Sequence, residues 1–271
     1  MRTRFDVVLH GANHDSLNDE ATQDQTAWLR AVAVEALAEI EAAEKRFNFY
    51  DPDSWLSRVN QRAAQSPVQV PADVFQLLEL CLQIFTETDG VFDPAAASPA
   101  SFAEVELIAG QRQVRFHHPQ LQIDLGGIAK GWAIDLATET LLDEGVTSAL
   151  VQGGSSSVRA VGAPPGQSSW KVQLAEHAST WLHNQALGVS HTFADDGSTE
   201  EPTCHIIDPA RGEALRCPQL AAVLCPAEPP TAYTVSNDAM QSAPHPAAVA
   251  DAWATALLLR HSQPFTWKQL P

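Results

Sequence analysis

The stretch Asp124–Asp135, DLGGIAKGWAID, places two adjacent glycines and a single lysine ahead of an apolar run. Gly126 and Gly127 allow the backbone to approach a ligand closely. A helix that begins there directs unpaired N–H groups and a partial positive charge at an anion in front of it, and Lys130 adds a full charge. The stretch therefore predicts an anion site, most naturally for phosphate. The alternative is an ordinary strand–helix turn whose lysine is solvated.

The segments around this stretch mix strands and helices without a regular βαβ repeat, which favours an α+β fold. Residues 121–125, LQIDL, predict a short strand that leads into the glycines, and the helix after them extends to about Glu144. Helical patterns cover residues 20–46, 71–90 and 246–261, and Ser54 is a plausible cap of a shorter helix. Other strands are predicted at residues 4–11, 148–154, 156–162, 170–175, 184–193 and 219–226, with a hairpin around Ala109–Gly110.

The overall charge of the chain argues against nucleic acid as a partner. Acidic residues outnumber basic residues 33 to 16, and the net charge is −17. A surface of this charge repels polyphosphate backbones, so an anionic ligand needs a local positive pocket. No segment approaches the roughly 18 consecutive apolar residues of a membrane span.

The N-terminal sequence, MRTRFDVVLHG, lacks the apolar core of a signal peptide. This predicts a cytoplasmic protein as the sequence stands, or a periplasmic protein or lipoprotein if a leader was removed.

Several common site patterns do not occur in the sequence. The four cysteines form no C-x-x-C pair, which argues against a zinc ribbon. No G-x-G-x-x-G pattern follows a predicted strand, so a Rossmann dinucleotide site is not expected. The glycines before Lys130 are too close to it for a Walker loop, and no serine or threonine follows the lysine.

The final helical pattern carries a second candidate site. Asp251 and Thr255 are four residues apart and therefore lie on one helix face, among apolar neighbours. A carboxylate in such surroundings needs a partner. Together with a hydroxyl it offers the hard oxygen ligands that Mg²⁺ prefers. The alternative is that Asp251 caps the helix and Thr255 bonds back to a backbone carbonyl.

Two further motifs are weaker on their own. His205 precedes an Asp208–Pro209 turn in CHIIDPARGE, and a histidine on an apolar strand is more often structural than catalytic. Residues 88–94, TDGVFDP, predict a glycine turn that leads to Asp93. The alternative is that this glycine only ends the preceding helix.

Taken together and in chain order, these stretches resemble the motifs of the ApbE family, the FAD:protein FMN transferases. IDLGGIAKGWAID is similar to the family pattern DLGGIAKGYAxD almost letter for letter. The likeness covers nearly the whole chain. The other stretches that carry it are MRTRF, YDPDSWLSRVN, TDGVFDP, HIIDPARGE and ADAWATALL.

The resemblance implies a fold, a site and a reaction. The fold would be an α+β, ApbE-like (T-fold-like) arrangement of mixed or antiparallel sheets flanked by helices. Residues 1–271 would form one domain of two intertwined lobes, with the FAD and metal cleft between them. Mg²⁺ would be held by Asp251, Thr255 and the backbone carbonyl of Gly127. The residues that would line FAD are Met1, Tyr50, Val91, Phe92, Asp93, Asp124, Lys130 and Ile206.

The implied reaction moves FMN from FAD to a threonine hydroxyl of an acceptor protein and releases AMP. His205 would take the hydroxyl proton, and Lys130 would assist electrostatically. Two alternatives stay open: an FAD pyrophosphatase that gives FMN and AMP, and a flavin-binding or degenerate ApbE-like protein without transferase activity. The sequence departs from the family pattern at Arg2, in residues 95–107, at Ser155 and at His191. Three of these four changes are expected to touch the FAD pocket or the substrate groove.

Overall fold

The structure is a computed structural model, and it describes residues 3–11, 19–175, 178–192, 206–215, 220–227, 245–260 and 265–270. The helices are α1 (Asp19–Phe47), α2 (Trp55–Arg62), α3 (Ala72–Glu87), α4 (Ala129–Asp143) and α5 (Pro246–Arg260). The strands are β1 (Phe5–Leu9), β2 (Val68–Gln69), β3 (Val105–Ile108), β4 (Gln113–Phe116), β5 (Ala149–Gly153), β6 (Ser157–Val161), β7 (Trp170–Ala175), β8 (Ala178–Leu182), β9 (Gln185–His191), β10 (Ile207–Asp208), β11 (Glu213–Ala214), β12 (Leu220–Pro226) and β13 (Phe265–Gln269).

A six-stranded sheet in the order β1-β5-β6-β9-β12-β13 organises the molecule. Its pairs are antiparallel except for β12 and β13. Helices α4 and α5 pack on one face of the sheet, and the β7–β8 hairpin packs on the other. Alternation along β9 separates the two faces, because Gly188 contacts α5 whereas Leu187 and Val189 pack with Trp170 of the hairpin.

Helix α1 forms because its apolar residues recur every three or four positions, which aligns them on one face. That face packs against α4 and closes the main core. The buried positions are Val32, Ala36, Ile40, Ala43 and Phe47. The cap predicted for α2 is confirmed, since the Ser54 hydroxyl accepts a hydrogen bond from Ser57 N at 3.0 Å. Among the described residues, no helix combines the length and the apolar character needed to cross a membrane.

The strand predicted at residues 121–125 is wrong. Leu121, Ile123 and Leu125 alternate into the core as strand residues would, but the segment pairs with no neighbouring strand among the described residues. The side chain of Asn60 takes the place of a paired strand, because it accepts a hydrogen bond from Ile123 N at 2.8 Å and donates one to Ile123 O at 2.9 Å. The next amide, Asp124 N, donates to Pro94 O at 2.8 Å. Strands β2, β8 and β13 were not predicted from the sequence.

Replacing Asn60 tests how the glycine turn is held. Asn60→Ala removes both hydrogen bonds to Ile123 and leaves two backbone groups without partners, so the free energy of unfolding should fall by about 2–4 kcal/mol. The exposed Gln122 lies on the same segment, and Gln122→Ala should change stability by no more than about 0.5 kcal/mol. Urea unfolding measures both variants, and equal values for the two would contradict this role of Asn60.

Candidate functional site

The glycine turn folds back on itself ahead of α4. Asp124 Oδ1 accepts a hydrogen bond from Gly126 N at 2.8 Å, and the amides of Ile128 and Ala129 both donate to Leu125 O. Lys130 Nζ donates to Gly126 O at 3.2 Å. The ammonium group therefore lies over the glycine turn, at the N-terminus of the helix.

The carboxylate of Asp251 reaches from α5 to this same helix start. Its Oδ2 lies 3.6 Å from Lys130 Nζ and accepts a hydrogen bond from Gly131 N at 3.2 Å. Its Oδ1 accepts from the Ser157 hydroxyl of β6 at 3.0 Å. Asp251 is 4% exposed and lies in the second turn of α5, so it does not cap its own helix. It satisfies instead a first-turn amide of α4, which has no acceptor within that helix.

The charge of Asp251 depends on these partners. Burial raises the pKa of this carboxyl group, and the Lys130 ammonium, the Ser157 hydroxyl and the Gly131 amide each act to lower it. Such a buried carboxylate is a strong attractor for a cation, because little water is present to screen it.

Thr255 follows Asp251 by one turn and faces Gly127. Its Oγ1 lies 3.3 Å from the backbone oxygen of Asp251, so the back-bonding considered in the sequence analysis does occur. A Cβ atom placed on Gly127 would lie 3.5 Å from Thr255 Oγ1 and 3.3 Å from the ring of Phe92. A side chain at Gly127 would therefore be in ordinary contact with the threonine and tight against the phenylalanine ring.

The oxygen donors at this point suit Mg²⁺. A carboxylate, a hydroxyl and a backbone carbonyl are hard ligands, and Asp251, Thr255 and Gly127 bring one of each to the same region. Among the described residues no cluster of three histidine, cysteine or acidic side chains forms a metal site. A metal bound here would therefore rely on hydroxyl and backbone oxygens beside the one carboxylate.

Close backbone packing holds α5 against this site. A Cβ atom on Gly131 of α4 would overlap the carbonyl group of Ala247, and one on Gly188 of β9 would overlap the carbonyl group of Ala250. The first turns of α5 thus lie between two glycines. Without this close approach Asp251 could not reach the Gly131 amide.

A half-buried histidine, His245, lies at the start of α5. The ring of His245 packs on Trp132, with 3.9 Å between centroids, and its backbone oxygen accepts from Val249 N. Burial, and then the positive charge of Arg159, lower the pKa of His245 from 6.5 to about 4. Glu139 Oε1 lies 3.4 Å from Nδ1, and burial raises the pKa of the Glu139 carboxyl group.

The other residues predicted for FAD are spread around this centre. Phe92 contacts the glycine turn, as above, and its neighbour Val91 is partly buried. The Asp93 carboxylate accepts from Ala95 N at 2.7 Å and from the Ser101 hydroxyl at 2.9 Å, so it also orders the loop that follows it.

Tyr50 is 87% exposed, with the ring of Phe49 packed edge-on against it, and none of its described contacts involves Lys130 or Asp251. Ile206 is buried in a cluster with Ala250 and Ala254 of α5. Met1 and His205 lie outside the residues that the structure describes.

The structure adds polar residues to which the sequence analysis gave no role. Ser157 bonds to Asp251, and its position in a run of three serines carries no signal for this contact. Gly131 and Asp135 belong to the opening stretch, where a third glycine and a second acid four residues later could have indicated a helix face turned towards another backbone.

The departure from the family pattern at His191 lies away from Asp251. His191 shares its face of β9 with Leu187 and Val189, which pack towards the β7–β8 hairpin, whereas Gly188 faces α5. Its Nε2 atom lies 3.5 Å from Ser155 Oγ. Two of the residues that differ from the pattern are thus neighbours of each other.

Solved structures share this fold. The ApbE protein from Thermotoga maritima superposes with a TM-score of 0.70 at 20% identity, over 94% of this chain and 87% of that one. The flavin transferase ApbE from Vibrio cholerae gives a TM-score of 0.66 at 17% identity, over 95% and 87% of the two chains. The α+β fold with antiparallel sheets and flanking helices that was predicted from the sequence is confirmed.

The chain belongs to the ApbE family, whose family model matches residues 1–228. A relative from Chlamydia trachomatis, named FAD:protein FMN transferase, is 26% identical over 241 residues, which is 79% of this chain and 71% of the relative. A relative of the same name from Vibrio cholerae is 23% identical over 213 residues, or 65% of this chain, which spans 63% of that relative's length.

Adding a methyl group at Gly131 tests the contact between α4 and α5. Gly131→Ala should lower the free energy of unfolding by about 1–3 kcal/mol, because the new Cβ overlaps the Ala247 carbonyl group and neither backbone can yield. Gly110→Ala is the matched control, since nothing lies within 4 Å of a Cβ at that position. Chemical denaturation of both variants checks this, and a harmless Gly131→Ala would show that the helices can separate without cost.

The half-buried His245 predicts an acid-sensitive component of stability. The pKa of His245 is lower in the folded chain than its ordinary value, so protons bind the unfolded chain first and stability falls as the pH drops from about 6.5 towards 4. His245→Phe should remove this component, worth about 2–3 kcal/mol at pH 4.5 relative to pH 7. Urea unfolding of wild type and variant at both pH values measures it.

The control for that measurement is the exposed His183. His183→Phe should leave the pH profile of stability at its wild-type shape. If His245→Phe and wild type lose the same stability on acidification, the acid sensitivity arises elsewhere.

Proposed function

We propose that this protein is a Mg²⁺-dependent FAD:protein FMN transferase, which moves FMN from FAD to a threonine hydroxyl of an acceptor protein and releases AMP. Membership of the ApbE family and the names of the relatives support the class of reaction. The observation that carries the proposal is the meeting of Asp251 with Lys130 and the first turn of α4. It joins a cation-binding carboxylate to an anion-binding helix start.

The anion-binding part and the cation-binding part of this arrangement both suit the pyrophosphate bond of FAD that the reaction breaks. The pyrophosphate of FAD is an anion, and the N-terminus of α4 together with Lys130 attracts an anion. The Asp251 carboxylate, the Thr255 hydroxyl and the Gly127 carbonyl would hold Mg²⁺. When bound, such an ion neutralises charge on the phosphoryl oxygens and orients them. We further propose a single domain over residues 1–271, with the FAD cleft between two intertwined lobes.

The proposed phosphoryl transfer needs no covalent intermediate with the protein. The threonine oxygen bonds to the FMN-side phosphorus, the anhydride bond to the AMP phosphate breaks, and AMP departs with the electron pair. Lys130 would stabilise the charge that develops on the phosphoryl oxygens. His205 is the proposed acceptor of the threonine proton, since an imidazole titrates near neutral pH, and a base of this kind contributes about 10²–10⁴-fold.

The remaining proposed contacts concern the flavin and its nucleotide. Phe92 packs against Gly127 and could support the ligand beside the metal, with Val91 and Asp93 in the same turn. Tyr50 is exposed and is available for stacking on a ring. Asp124, Ile206 and Met1 complete the proposed set. Asp124 already accepts the Gly126 amide, so it would have to serve the ligand with its other oxygen.

A labelling assay separates the transferase from its alternatives. The protein is incubated with FAD, Mg²⁺ and a flavin-acceptor domain, or with the same domain after its target threonine is changed to valine. A fluorescent flavin on the threonine form alone supports the proposal. AMP release at equal rates with and without acceptor would identify a pyrophosphatase, and no turnover would identify a binding protein.

Asp251 can be altered without changing its size. Mn²⁺ favours the same oxygen ligands as Mg²⁺ and serves as its probe. Asp251→Asn should reduce Mn²⁺ affinity and FMN transfer by about a hundredfold or more, since several kcal/mol of charge stabilisation depend on this carboxylate. Asp143→Asn changes an exposed acid at the other end of α4 and should leave both unaffected. Transfer assays and Mn²⁺ titrations followed by electron paramagnetic resonance give the two values. Full activity of Asp251→Asn would eliminate the proposed metal site.

A further inference from the structure

Asp135 is a fully buried carboxylate that the proposed reaction does not use. It lies on α4, and its Oδ1 accepts a hydrogen bond from Arg159 Nη1 of β6 at 2.8 Å. Its Oδ2 accepts the amides of Ala247 and Ala248 at 3.0 and 2.9 Å. These are first-turn amides of α5, which have no acceptor within their own helix. One carboxylate thus joins α4, β6 and α5.

The charges of this network are matched but costly to bury. Burial raises the pKa of Asp135, and the Arg159 guanidinium and the two α5 amides act to lower it. Arg159 is itself only 6% exposed. Apolar residues of similar volume often stabilise a core as well as a buried ion pair does or better, so stability alone is a weak reason for this pair.

The hydrogen bonds of Asp135 involve α4 and β6, the same two elements whose residues bind the Asp251 side chain. Ser157 and Arg159 are two residues apart on β6 and therefore share a face of the sheet. Gly131 and Asp135 are four residues apart on α4 and therefore share a helix face. Ser157 and Gly131 bind the Asp251 side chain. One turn away along α4, Asp135 binds the start of the same helix α5 and is itself bound by Arg159.

We infer that Asp135 and Arg159 are positioning residues for Asp251: they fix the first turn of α5 so that the Asp251 carboxylate stays opposite the Gly131 amide. Ala247 and Ala248 precede Asp251 by about one turn, so a displacement of these amides carries Asp251 with it. Neither Asp135 nor Arg159 belongs to the residues that are proposed to bind Mg²⁺ or FAD. The link to metal binding rests on the proposed function, whereas the link to the geometry of Asp251 does not.

Asp135→Asn tests the inference with little change of shape. The amide keeps one acceptor oxygen but leaves Arg159 without its counter-charge. Mn²⁺, which favours the same oxygen ligands as Mg²⁺, is the probe. Its affinity, measured by electron paramagnetic resonance on folded protein, should fall about tenfold, as is typical when a group that orients a metal ligand is changed. Arg159→Lys retains the charge and should lose less affinity than Arg159→Met.

The Gly131 amide gives a second readout that needs no metal. Its hydrogen bond goes to Asp251 Oδ2, so hydrogen exchange at this amide, followed by NMR, reports the position of the carboxylate. Exchange should be faster in Asp135→Asn. If wild type binds no Mn²⁺ the proposed metal site fails, but the exchange rate still decides whether Asp135 positions Asp251.

A destabilised control separates positioning from general loss of stability. Leu77→Ala opens a cavity in α3, among fully buried residues, and should lower the melting temperature while leaving Mn²⁺ affinity and Gly131 exchange near wild type. If Asp135→Asn does not fold, the double variant Asp135→Asn/Arg159→Met, which has no unpaired charge, takes its place. Wild-type affinity and exchange in the folded variant, or equal losses in Leu77→Ala, would overturn the inference.

Discussion

The Asp251 carboxylate and the first turn of α4 each satisfy a need of the other. A helix start leaves amides without acceptors, and a buried carboxylate on an apolar helix lacks donors and counter-charge. Gly131 N and Lys130 Nζ supply what Asp251 requires, at 3.2 and 3.6 Å. This contact ties the C-terminal helix to the glycine turn and assembles the proposed site in one step. In the proposed reaction a divalent ion would compensate Asp251, which leaves Lys130 available to the pyrophosphate.

Small residues make this contact possible. Six alanines of α5 are fully buried, and the helix packs on both sides against backbone at Gly131 and Gly188. An alanine buries less apolar surface than a leucine, so such a helix gains less from burial per residue. What the small residues provide is a short distance between the helix axes. A side chain can form a hydrogen bond to the backbone of a neighbouring helix only when the two axes are close. The alanines and glycines of α5, α4 and β9 therefore support the polar contacts of Asp251.

Local patterns predicted the helices well, because their periodicity and caps are properties of short segments; the 20–46 pattern and α1 (Asp19–Phe47) differ by one residue at each end. The segment at residues 121–125 failed for a long-range reason. Its alternation is that of a strand, yet Asn60, more than sixty positions earlier, satisfies the backbone of Ile123. The partnership of Asp251 with Gly131 and Ser157 was equally out of reach, since it spans 120 and 94 positions. The motifs indicated which residues matter, and only the fold showed which of them meet.

The placement of the unusual residues bears on which function the chain retains. The alternation of β9 directs His191 to the face that carries the β7–β8 hairpin, where its neighbours Leu187 and Val189 pack on Trp170. Gly188, on the opposite face, keeps its contact with the backbone of α5. A change at His191 can therefore alter the surroundings of the hairpin without moving Asp251, because a sheet isolates side chains on its two faces from each other. Divergence of this kind is compatible with an intact contact between Asp251 and the first turn of α4.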